Sequence, residues 1–154
     1  MQDNMITPGR LKALQHLDQS IAWCEAELDH GYLVGEASVE EWATRARAQL
    51  PSAEYERAMQ AIERTRNRIR MTLARDTRER DALLAWIAAI PKEDVRASMY
   101  LHYAKGYSYE VIADQYFGKT IGAEAVRKMC HRCIHGEHLG KQGRPQKGSD
   151  DDQP

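Results

Sequence analysis

Residues 107 to 135 read YSYEVIADQYFGKTIGAEAVRKMCHRCIH, and the way this stretch is parsed decides the fold. Ser108 is a helix N-cap type, and Glu110 follows in the first turn, where a carboxylate complements the helix dipole. A helix begun there buries Ile112, Ala113 and Tyr116 and ends at Gly118. Thr120 or Gly122 then opens another helix, on which Val126, Cys130 and Cys133 recur at i, i+4 and i+7 and share one face. The small Ala113 lets the two helices approach closely, Gly118 permits the turn, and Val126 anchors the second helix against the first. This is the pattern of a helix-turn-helix. It leaves Glu124, Arg127, Lys128, His131, Arg132 and His135 facing outward, a basic surface suited to a DNA major groove.

The same cysteines permit a competing parse. Cys130 and Cys133 form a C-x-x-C, followed by His135 and His138, and all four are zinc-ligand types. Zinc ligands ordinarily arrive as two separated pairs on different elements, whereas these four fall within the single run CHRCIHGEH. Buried free cysteine, by contrast, is a common small core residue. The expectation is therefore no metal and no cofactor, with Cys130, Cys133, His135 and His138 as the only metal candidates.

Working outward, the chain has 154 residues, enough for one domain with a real core or a small domain plus a helical extension. Arg, Ala, Glu, Leu and Gln abound and strand-forming runs are absent, so an all-α fold is expected. The net charge of −1 hides an uneven distribution: between 119 and 147, seven Lys and Arg side chains face only Glu124 and Glu137. That asymmetry points to an anionic partner. Three cysteines, no secretory signal pattern and no apolar run of about 18 residues indicate a cytoplasmic protein with no membrane association. The end of the chain, GKQGRPQKGSDDDQP, offers nothing to bury and is expected to be disordered.

Toward the N-terminus, Leu14, Leu17, Ile21, Cys24 and Leu28 alternate spacings of three and four on a helix from about Pro8 to Gly31. VEEWATRARAQ has the pattern of a short helix, and a long one opens at Pro51-Ser52, with Tyr55, Met59, Ile62, Ile69 and Leu73 on its apolar seam. The two long segments are expected to pair as an antiparallel, coiled-coil-like hairpin. Arg64, Arg68 and Arg75 can share a helix face, but Glu63, Asp76, Glu79 and Asp81 are interspersed, which is the pattern of a solvated face rather than a nucleic-acid surface. The expected organisation is a hairpin over 1–78 for dimerisation or partner binding, a helix-turn-helix domain over 79–138, and a tail over 139–154.

IPKEDVRASMYLHYAKGYSYEVIADQYFGKTIGAEAVRKMCHR, within about residues 80 to 136, resembles region 4 of bacterial sigma-70 factors. More closely, it resembles the sigma-region-4-like domains of small phage transcriptional activators of the ArpU and RinA groups. The matching pieces are Pro91, Arg96, YAKG at 103 to 106, Ser108 with Ile112-Ala113, and Ala125 to Lys128. The turn within ADQYFGKTIGAEAV is longer than those families use, an extension that costs little. The resemblance implies promoter-type DNA binding and contact with RNA polymerase, in a phage or prophage activator working at the nucleoid of a bacterial host.

From the residues and the resemblance together, Arg127, Lys128, His131 and Arg132 are expected to meet double-stranded DNA, with Glu124 on the same face and Ser108, Tyr109, Lys119 and Thr120 placed for backbone contacts. A homodimer through the N-terminal helices would double those contacts. The alternative is a helical interaction module that binds RNA polymerase or inhibits a host protein through its acidic first 50 residues, which hold four basic and eight acidic side chains. Catalysis is not expected, since six histidines occur without a nucleophile motif, a Gly-rich phosphate loop or a paired acidic motif.

Overall fold

The structure, a computed structural model, describes residues 5–30 and 38–136. Of these, 81% are helical and none lies in a strand, so the core is made by helix packing alone and the all-helical expectation holds. The elements are α1 (Pro8–Lys12), α2 (Leu14–His30), α3 (Val39–Gln49), α4 (Ser52–Ala88), α5 (Glu93–Met99), a π-helical turn (Tyr100–Ala104), α6 (Tyr109–Gln115) and α7 (Ala123–Ile134). Among the described residues, no helix is long and apolar enough to cross a membrane. The tail expected over 139–154, His138 among the metal candidates, and the expected helix stop at Gly31 lie outside the described residues.

The chain forms two compact units, Arg10–Trp86 and Met1–Gly9 with Ile87–Pro154. In the first, Leu11, Leu14, Ile21 and Cys24 are buried and Leu17 and Leu28 half-buried, as their spacing predicts. On α4, Ile69 and Leu83 are buried, while Tyr55, Met59, Ile62 and Leu73 are half-buried. Polar side chains tie α1 and α2 to α4. Arg10 donates to both carboxylate oxygens of Glu79, at 2.7 and 2.9 Å, and these bonds hold the Glu79 carboxyl below the usual carboxylate range. The Ser20 hydroxyl donates to Asp76 at 2.7 Å, and Arg75 Nε donates to the same carboxylate at 3.2 Å. Asp76 is thus a correction to the solvated-face expectation: it is only 5% exposed, because seven residues beyond Ile69 it falls in phase with the apolar seam and is satisfied there by Ser20.

The second unit is built around α5, α6 and α7. Arg96 Nη1 donates to the carbonyl of Ile90 at 2.9 Å, covering a free acceptor where Pro91 prevents α4 from continuing. The helix that opens at Glu93 changes pitch at Tyr100: the Lys105 N–H reaches the Tyr100 carbonyl at 3.2 Å and the Tyr107 N–H reaches the Leu101 carbonyl at 2.9 Å. Gly106, at φ +78°, provides the left-handed residue that closes this wider turn. Ser108 caps α6, its Oγ accepting from the Val111 N–H at 3.2 Å. Buried Ile112 and Ala113 meet Val126, with Leu101, Tyr109, Phe117 and Ile121 packed around them. Tyr116 was expected in this core but is 39% exposed, its hydroxyl hydrogen-bonded to Asp94 at 3.2 Å. Tyr116 keeps helical backbone, its N–H bonded to the Ile112 carbonyl at 3.0 Å, but as the C-cap of α6 it lies at the end of the helix, and Phe117 packs against the core instead.

The core around Val126 sets a stability prediction. Truncating Ile112 to Ala removes a side chain that is 1% exposed and should cost about 2–5 kcal/mol in urea denaturation. The neighbouring Val111→Ala, at a position 36% exposed, should stay within about 0.5 kcal/mol of wild type.

Candidate nucleic-acid interface

Gly122 is the N-cap of α7, with its carbonyl accepting from the N–H groups of Ala125 at 3.1 Å and Val126 at 3.2 Å. At about 100° per residue, Val126, Cys130 and Cys133 point to one side of this helix. Glu124, Arg127, Lys128, His131, Arg132 and His135 spread over an arc of about 140° on the other. The burial pattern agrees: the first three are at most 1% exposed, Arg127 is half-buried, and the other five are exposed. Twelve residues make a rod about 18 Å long. Its basic side is convex and open to solvent.

The turn before α7 positions three further residues. Gly118 and Lys119 both adopt left-handed backbone, at φ 56° and 64°. For Lys119 this costs about 1 kcal/mol or more, offset in part by its N–H donating to the Ala113 carbonyl at 2.9 Å. The Lys119 ammonium is extended into solvent 3.4 Å from the Asp114 carboxylate. The Thr120 hydroxyl donates to the Phe117 carbonyl at 2.7 Å and so fixes the exit of the turn. Ser108 and Tyr109 sit at the start of α6, on the other side of this turn. Ser108 is occupied in capping. Tyr109 is half-buried, its ring stacked on His102 with centroids 4.0 Å apart and planes 16° apart. The Tyr103 hydroxyl donates to that of Tyr109, and burial raises both phenols above their usual range.

Charge on the exposed face is arranged rather than simply accumulated. Arg127 donates from Nε and Nη2 to the two carboxylate oxygens of Glu124, three residues earlier on the same helix. The pairing lowers the Glu124 carboxyl and raises the Arg127 guanidinium. The Tyr109 hydroxyl lies close enough to Arg127 to interact electrostatically. His131 and His135 stand one turn apart, ring centroids 6.1 Å.

The metal candidates are not gathered. Cys130 and Cys133 turn into the core, with burial pushing their thiols up to about 12 and about 11, while His135 is on the opposite, exposed side. Among the described residues, no group of three or more His, Cys, Asp or Glu side chains is placed to hold a metal ion. Two features of the site were not visible in the sequence reading. The Glu124–Arg127 pair has a recognisable sign, opposite charges at i and i+3. The His102 platform under Tyr109 has none, because it depends on the π-helical turn.

The raised thiols give a signed pH dependence. Between pH 9, where an unfolded thiol ionises, and about 11, the unfolded chain loses protons that the folded chain keeps at Cys130 and Cys133. Stability should therefore fall as pH rises through that window. The slope should be shallower in the Cys130→Ala, Cys133→Ala variant, read by urea denaturation at each pH. At pH 8 neither thiol of the native protein should react with an alkylating reagent.

Comparison of the chain with protein-family models, with curated proteins and with solved structures gives no match. The reading of function therefore stands on the surface of α7 and the residues around it.

Proposed function

We propose that this protein is a sequence-specific DNA-binding transcription regulator, in which α6, the 116–122 turn and α7 act as a helix-turn-helix and α7 enters the major groove. The observation that carries the reading is the division of α7 into two opposite sides. One is wholly buried and apolar; the other presents Arg127, Lys128, His131 and Arg132 together. A helix of about 10–12 Å diameter fits a groove about 12 Å wide. In that placement Lys119 and Thr120 at the turn, and Ser108 at the start of α6, fall near the sugar-phosphate backbone, where contacts fix register without reading sequence. The likeness of residues 80 to 136 to the sigma-region-4-like domains of phage activators supports the same reading. It adds action at promoters, contact with RNA polymerase and a place at the nucleoid of a bacterial cell.

The Arg10–Trp86 unit serves, in this proposal, as an antiparallel hairpin through which two copies pair. Ser20, Asp76, Arg10 and Glu79 would set its register, since a displaced pairing would leave Asp76 buried without the Ser20 hydroxyl. Binding rather than catalysis is the activity, because the assembled residues form a convex exposed face with its cations directed outward.

A salt titration of binding to random-sequence duplex tests the reading. Wild type should bind at low salt, and log affinity should fall linearly with log salt, at a slope of about −0.9 per phosphate contacted. Reversing two charges, Arg127→Glu with Lys128→Glu, should lower affinity on the order of a hundredfold or more and flatten the slope by at least about one phosphate equivalent. Absence of binding at low salt, or equal binding by the double variant, contradicts the proposal and favours a protein partner for the acidic N-terminal half.

A further inference from the structure

The Glu124–Arg127 pair bears on how the exposed side of α7 distinguishes one DNA sequence from another, an inference that rests on the DNA-binding reading above. A guanidinium carries five N–H groups in one plane. Glu124 accepts from Nε and from one hydrogen of Nη2, so its carboxylate covers the side edge of Arg127. The end edge, formed by Nη1 and the second hydrogen of Nη2, meets no acceptor among the described residues. Two parallel N–H groups on that edge match the O6 and N7 acceptors of guanine in the major groove.

The same end edge also fits a phosphate, and charge decides between the two. The Glu124 carboxylate is held ionised by its bonds to Arg127. It lies on the outer side of α7, in the first turn, so any group that approaches the open edge of Arg127 approaches this negative charge as well. A neutral guanine edge tolerates that neighbour and an anionic phosphate is repelled by it. On the far side, Tyr109 narrows the choice of position. Its ring is fixed by stacking on His102, and its hydroxyl accepts from Tyr103 while lying near Arg127.

We infer that Glu124 is a specificity-determining positioning residue: by occupying the side edge of Arg127 it presents the end edge to a guanine and keeps that arginine off the phosphate backbone. Glu124 acts here through Arg127 and by repulsion. Lys128 lies four residues after Glu124 and feels its charge, but both carboxylate oxygens are hydrogen-bonded to Arg127, so the Lys128 ammonium remains a phosphate-binding cation. Sequence discrimination and general affinity are thereby assigned to adjacent side chains.

The test selects and sequences bound duplexes from a randomised pool with wild type, Glu124→Ala, Glu124→Gln and Lys128→Gln. It also measures the affinity of each for the unselected pool across a salt series. Wild type should require guanine at one position of its site. Both Glu124 variants should weaken that requirement, bind the unselected pool several-fold more tightly at about 50 mM salt, and steepen the salt slope by about one phosphate equivalent. Lys128→Gln should bind the pool more weakly with the guanine requirement unchanged. If wild type and the Glu124 variants share the same base preference and salt slope while all bind DNA, the inference about Glu124 is wrong and the DNA-binding reading stands. If wild type retains no duplex from the pool at low salt, both fall together.

Discussion

The burial of Val126 against Ile112 and Ala113 is the contact on which the C-terminal unit depends. It joins α6 to α7 across the turn, and Val126 is fully buried in it. Burying a side chain of this size stabilises by about 1.5–3 kcal/mol, a large share of the total for a unit this small. The contact also fixes the rotation of α7 about its own axis. A helix turned so that Val126, Cys130 and Cys133 face inward has no choice but to turn Arg127, Lys128, His131 and Arg132 outward. The exposed basic surface is therefore a geometric consequence of the core, and no separate interaction is needed to expose it.

The turn constrains the remaining degree of freedom, the direction in which α7 leaves α6. Consecutive left-handed residues at Gly118 and Lys119 reverse the chain sharply, and Thr120 ties the exit back to Phe117. Glycine adopts that backbone without penalty and lysine does not, so the structure carries some strain at Lys119. The strain coincides with a cation at the outer bend of the turn. Behind it, the π-helical turn at Tyr100–Ala104 supplies both a buried Tyr103 and a His102 platform, and these two hold Tyr109 beside Arg127. Packing, turn geometry and the arrangement of the exposed charges are in this way linked through a few residues.

Periodicity made much of this legible. Ser108 as a cap, Ile112 and Ala113 as core, and Val126, Cys130 and Cys133 as the inner side of α7 all follow from residue type and spacing, and the structure buries or caps each of them. Where spacing misled, the end of a helix or a distant partner was responsible. Tyr116 is in helical phase but sits at the C-cap of α6 with its hydroxyl on Asp94, and Phe117 packs against the core in its place. Asp76 looked like one more surface charge among arginines, but its burial depends on Ser20, 56 residues away in sequence, which no local pattern reveals. The stacking of Tyr109 on His102 was hidden for a similar reason, since it follows from a change of helical pitch that the composition of YLHYA does not announce.

The central claim is that the outer side of α7 is the surface that meets DNA. The most direct test follows backbone amide signals of isotopically labelled protein while a short duplex drawn from the bound pool is added. The account predicts that the signals that move first and furthest are those of the 116–122 turn and of α7 from Ala123 to Arg132, with those of α2 and α3 nearly unchanged. Movement confined to α2, α3 or the first half of α4, or no movement with a duplex in excess at low salt, would contradict it.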